Sequence, residues 1–224
     1  MHPPTHFAML PDLMDSWWLM AGFGAYHGLN PGIGWLFALA LGLQQKNARA
    51  IWQSLLPISL GHALAVAVVA AVVFAAGRLV STSLLRFVTA GLLLIFGAVK
   101  LFTYYRHPRW VGMRVGMRDL CVWSFIMAAA HGAGLMVAPT MLEIAAAGSR
   151  SAALDGAAGL LFGVGLHTAA MLTVMALVAG VVYYQFGLKI LRQGWINFDL
   201  IWAVALLAAG ATAVYFALGA APHG

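Results

Sequence analysis

Four of the eight histidines lie inside hydrophobic runs, and their positions are related in pairs. Setting "WWLMAGFGAYHGLNPG" over "CVWSFIMAAAHGAGLM" brings His27 onto His131 at an offset of 104, each followed by glycine. Setting "LGHALAVAVVAAVV" over "GLHTAAMLTVMALV" brings His62 onto His167 at an offset of 105. Imidazole binds zinc, nickel, cobalt, copper or iron through a neutral nitrogen, and it also carries a proton near physiological pH. Four of them around one axis would suit a first-row transition-metal ion. Calcium and magnesium prefer several carboxylates, and Glu143 is the only acidic residue expected to be buried in the apolar segments. The same residues allow other readings. Paired histidines on neighbouring helices are also axial ligands of haem, or of a non-haem redox or catalytic metal. A histidine can also simply hydrogen-bond one membrane helix to another.

The elements that must position these side chains follow from composition. The chain of 224 residues is 63% hydrophobic and 8% charged, too few charges to dress the surface of a water-soluble domain. It reads as an all-α polytopic membrane protein. Runs of about twenty apolar residues suggest six transmembrane helices near 16–43, 51–77, 83–104, 120–146, 154–185 and 196–219. The connections after the first, third and fifth hold Lys46 and Arg49, then Arg106, Arg109, Arg114 and Arg118, then Lys189 and Arg192. The second and fourth contain only Arg78, Arg86 and Arg150. Positive loops face the cytoplasm, so both termini are expected in the periplasm of a bacterial inner membrane. The formal charge of +6 is distributed among loops, which speaks for membrane topology and against nucleic acid. No basic, cleavable leader is evident, so the first span is the expected targeting signal. Cys121 is the sole cysteine, leaving neither an internal disulfide nor a paired-cysteine metal clip.

The histidine offsets divide the chain into a periplasmic segment 1–15, a three-helix repeat 16–104, a basic cytoplasmic linker 105–119, a second three-helix repeat 120–219 and a tail 220–224. Three helices separate the copies, which makes this a 3+3 inverted-topology repeat. Transporters of that architecture bind substrate near the midplane at the repeat interface. Each of the four histidines falls ten to fifteen residues into its span, about 15–22 Å along a helix, and so near the membrane centre.

Smaller features surround them. Pro31 cannot donate a backbone hydrogen bond, so "LNPG" is expected to break the first span, with Gly32 allowing the turn. Carbonyls of Tyr26 and His27 and the Asn30 amide would then face the substrate path. Pro139 is the corresponding breaker expected in the second half. Glu143, about 18 Å beyond His131 along a continuous helix, is expected at the outer mouth as a first stop for a cation. Gly24, Gly28, Gly61, Gly132 and Gly165 are expected to let helices approach closely. Met20, Met127, Met136, Met141, Met171 and Met175 are thioether candidates for Cu(I), though methionine is commonly apolar filler.

The string "YHGLNPGIG", the histidine in "SLGHALAV" and the six-helix layout resemble the nickel/cobalt exporter branch of the lysine exporter superfamily. Its first-helix motif, H-A-x-x-P-G-H-G, is matched by His27, Pro31, Gly32 and Gly34, and its second-helix histidine by His62. Ile33 stands where the motif has its second histidine. The resemblance implies an exporter of divalent metal, with nickel or cobalt as cargo. Residues and resemblance together suggest a secondary transporter moving a transition-metal ion against protons, with His27 and His62 in one half of the site and His131 and His167 in the other. The alternatives left by the sequence are a membrane redox protein or metalloenzyme, and a structural subunit of a larger membrane complex. The lipid bilayer, the cation and protons are the expected partners, with a homo-oligomer or a larger membrane complex as further ones.

Overall fold

A computed structural model describes residues 9–102, 116–148, 156–186 and 198–219. The described chain is all helical. Its elements are α1 (Met9–Leu29), a 3-10 turn (Pro31–Ile33), α2 (Trp35–Gln44), α3 (Ala48–Gly77), α4 (Thr82–Phe102), α5 (Met117–Ala130), α6 (Ala133–Gly148), α7 (Gly156–Val181), a π turn (Val182–Phe186) and α8 (Phe198–Gly219). Arg106, Arg109, Arg114, Arg150, Lys189 and Arg192, and the segments 1–8 and 220–224, lie outside the described residues.

Three helical stretches, Ala48–Gly77, Thr82–Phe102 and Ala157–Gln185, are long and apolar enough to cross a membrane. A fourth span is reached if α5 and α6, bent by 69°, count as one. The described residues therefore support three to four spans where hydropathy suggested six. The first expected span, 16–43, is two helices, because an averaged hydropathy window passes over the polar break at Asn30. Apolar surface agrees with a lipid environment. On α3 the residues Trp52, Leu56, Leu60, Leu64, Val68 and Val72 recur every four positions and are all exposed, an apolar ridge of a size that water would penalise.

The opposite face of α3 carries Ile51, Leu55, Ile58, His62, Ala65 and Val66, all buried. On α7 the buried stripe is Leu160, Val164, His167, Met171, Met175 and Ala179, continued by Val182 of the π turn. Both sets follow helical i, i+3 and i+4 spacing, which places each histidine in line with core residues. Two close helix pairs frame the centre: α1 lies along α7, and α5 lies along α3. A Cβ on Gly24 would run into the His167 carbonyl, one on Gly28 into the Met171 carbonyl, and one on Gly61 into the Cys121 carbonyl. Backbones therefore touch in both pairs. Ser124 Oγ on α5 further donates to the Ile58 carbonyl on α3, at 2.7 Å. Outside this centre α4 packs on α8, with Gly97 facing Leu207 and Gly210 facing Leu94.

The first break is repaired locally. Asn30 leaves the helix in an extended conformation, and its side-chain oxygen accepts from the Gly32 amide at 2.9 Å. The His27 carbonyl accepts from the Asn30 amide at 3.2 Å. Trp35 Nε1 donates to the Leu29 carbonyl at 3.0 Å, so an indole replaces a missing backbone donor. Trp35→Phe keeps an aromatic ring but removes this donor from a buried site; a loss of about 1–3 kcal/mol of stability is expected, measurable by denaturation in detergent.

The second break differs from expectation. The chain turns at His131–Gly132, where Gly132 has φ 69°, the left-handed region in which glycine is least strained. Pro139 instead lies inside α6. A proline in a helix forfeits one hydrogen bond of its own, which neighbouring helices can tolerate, whereas an αL residue turns the chain outright.

Candidate metal centre

His27 stands in the last turn of α1. Its Nδ1–H donates to the Phe23 carbonyl at 2.6 Å. A carbonyl can only accept, so this bond fixes the tautomer and leaves the Nε2 lone pair pointing away from α1. His167 is fixed likewise: its Nδ1–H donates to the Met20 carbonyl on α1 at 3.2 Å. The Nε2 atoms of His167 and His62 are 3.3 Å apart. His62 Nδ1 is buried and has no hydrogen-bond partner among the described residues. A buried polar atom without a partner is costly and marks a place where something else can bind or reorganise.

One ring nitrogen from each of His27, His62 and His167 falls within 4.8 Å of the other two. All three residues have no exposed surface. Ring centroids are 5.0 Å apart for His27 and His62, 4.9 Å for His27 and His167, and 5.5 Å for His62 and His167. Tetrahedral coordination with metal–nitrogen bonds near 2.0–2.1 Å would put nitrogens about 3.3 Å and ring centroids about 5 Å apart. The His62–His167 pair already has that spacing, and the widest nitrogen pair needs to draw in by less than about 2 Å. Three nitrogens could thus hold a transition-metal ion and leave a fourth position open. The described carboxylates of Asp15, Asp119 and Glu143 are all exposed and outside the group, so a hard cation finds no suitable ligands there. Haem fits poorly as well. The His27 ring centroid lies 5.0 and 4.9 Å from those of His62 and His167, so a porphyrin placed between that pair would run into the third imidazole.

His131 is buried but is not one of the three. Its Nδ1–H donates to the Met127 carbonyl at 2.7 Å, the same bond four residues back that orients His27. A Cβ added to Gly32 would sit 4.0 Å from His131 Nε2 and 3.2 Å from Asn30 Oδ1. His131 therefore faces the Asn30–Gly32 turn. Asn30 Oδ1 caps the Gly32 amide, and the His27 carbonyl has an amide donor, so two of the three oxygens expected to be free accept hydrogen bonds within the turn.

Glu143 is exposed and pairs with Arg86 of α4 at 2.6 Å, the side chains being 46% and 24% exposed. Its carboxylate is engaged by a cation of the protein itself. Gly24, Gly28 and Gly61 sit at close backbone contacts and Gly132 at the turn, while Gly165 is exposed with open space where a Cβ would go. Met20, Met136, Met141, Met171 and Met175 are buried within the apolar core. Ser124, absent from the sequence reading, ties α5 to α3; a lone serine in an apolar run offers no signal of its partner.

Comparison of the chain with protein-family models, with curated proteins and with solved structures finds no match.

Proposed function

We propose that this protein is a secondary transporter of a divalent transition-metal cation, and that His27, His62 and His167 bind the cargo. The observation that carries the reading is the convergence of three buried imidazoles from α1, α3 and α7, with one ring nitrogen of each within 4.8 Å of the others. Nickel and cobalt are the cargo implied by the resemblance of "YHGLNPGIG" to metal exporters. A protonated imidazole must lose one proton before it can bind a metal, so acid on one side of the membrane favours release there. Counter-movement of protons would supply the driving force outward.

We take the helices to form an inverted repeat with six spans, α1–α2 corresponding to α5–α6, α3 to α7 and α4 to α8. Exchange of these partners turns the α1–α7 pair into the α5–α3 pair, the His27–Phe23 bond into the His131–Met127 bond, and the Gly97–Leu207 contact into Gly210–Leu94. Each correspondence supports the repeat. Complete burial of the three histidines suits an occluded state of a transporter, and it also favours a second reading, a fixed non-haem metal centre.

Flux separates the two. Protein reconstituted in vesicles loaded with a cobalt-sensitive dye should admit Co2+ well above empty vesicles, with a proton gradient changing the rate, and His62→Ala should return it to background. Wild type that retains cobalt yet moves none would support the fixed centre instead.

A further inference from the structure

The three-histidine group is asymmetric although the chain supplies four equivalent histidines. His62 and His167 face one another, His27 completes the group, and His131 stands aside by the Asn30–Gly32 turn. The packing explains how. Gly24 and Gly28 bring α1 onto the backbone of α7, and His167 Nδ1 reaches across to the Met20 carbonyl. His27 and His167 thus travel on one tightly joined pair. Gly61 brings α3 onto α5, and Ser124 bonds the Ile58 carbonyl. His62 and His131 travel on the other.

The joined units therefore cross the halves of the sequence. Rigid motion between the units keeps His27 beside His167 and His131 beside His62, so a change of the third neighbour requires the two outer histidines to move at the helix breaks beside them, Asn30–Gly32 and Gly132. The two outer histidines are prepared alike: each ends a helix segment at a break, and each has Nδ1 committed to the carbonyl four residues earlier, so that Nε2 is the ligating atom. In a protein whose halves exchange conformations, the exchanged state places His131 where His27 is now.

Resting on the transport reading above, we infer that His131 is the alternate third ligand: a divalent transition-metal ion stays on His62 and His167 while its third nitrogen passes from His27 to His131 as the helix ends at the Asn30–Gly32 and Gly132 breaks exchange conformations. No bond other than metal–nitrogen coordination is made or broken. One imidazole leaves the ion as its counterpart arrives, and the coordination number is kept.

The test uses Co2+ as the probe, with full-length purified protein. Binding is read from the visible absorption of four-coordinate cobalt, and flux from the dye-loaded vesicles. His27→Ala and His131→Ala should each keep cobalt affinity within a few-fold of wild type, because one state remains intact, while flux falls at least about tenfold. The double variant should lose binding to the level of His62→Ala. Gel filtration checks folding, and His27→Asn with His131→Asn repeats the comparison with a polar group retained. A static three-histidine site gives a different pattern: His27→Ala alone loses cobalt and His131→Ala binds and transports like wild type, which would overturn the inference. If wild type moves no cobalt, the transport reading fails, and the binding comparison still decides whether His131 can replace His27.

Discussion

His62→Ala and His167→Ala should each abolish cobalt binding, with an affinity loss of at least about 100-fold. Disturbing groups that merely orient a ligand already costs 10–100-fold, and these two residues supply ligand atoms themselves. Their Nε2 atoms are 3.3 Å apart on different helices, so either deletion leaves two nitrogens that cannot enclose an ion. His167→Ala has a second consequence. It removes the donor to the Met20 carbonyl and thereby one tie between α7 and α1, so its stability should fall further than that of His62→Ala. Isothermal titration and thermal denaturation in the same detergent would measure both. Retention of cobalt by either variant would show that the ion binds elsewhere.

The second large effect is steric. Gly24→Ala should destabilise the protein by about 1–3 kcal/mol, as overpacking of a close contact does. The added methyl meets a backbone carbonyl, that of His167, and no rotamer change relieves it. α1 must move off α7, carrying His27 away from the other two rings. Gly61→Ala should act similarly by parting α3 from α5 at the Cys121 carbonyl. Gly165→Ala is the control: it lies two residues from His167 but in open space, and a change within about 0.5 kcal/mol is expected. Equal responses at Gly24 and Gly165 would contradict the close approach of the helices.

These glycines show where sequence reading succeeds and where it stops. Glycine beside each buried histidine was visible, yet Gly165 and Gly24 look alike in one dimension. Only the rotation of each helix tells a contact from open space. In a soluble protein the polar face reveals that rotation, but α3 and α7 are apolar on all sides because lipid takes the place of water. The break at Asn30–Pro31 was legible, since proline removes a donor regardless of context. Its internal repair was not, because the Trp35 indole that caps Leu29 acts through space. The turn at Gly132 was assigned to Pro139, as residue type alone outweighed backbone conformation. Glu143 was expected at the outer mouth as a first stop for a cation, and residue type could not show that its carboxylate is paired with Arg86.

The grouping of the histidines is the deepest difference. Sequence order pairs His27 with His62 and His131 with His167, since those residues share a half. Backbone contact pairs α1 with α7 and α3 with α5, which joins His27 to His167 and His62 to His131. A two-helix offset in the chain contains no information about which helices press their glycines together. Depth was another matter. Counting residues from the span starts set all four histidines near one level, and three of them do meet.

X-ray absorption at the cobalt edge of the loaded wild-type protein tests the metal site most directly. Four-coordinate cobalt with three imidazole nitrogens at about 2.0–2.1 Å is the expected result. A six-coordinate oxygen shell, or a protein that retains no cobalt after gel filtration, would contradict a three-histidine centre for a transition-metal ion.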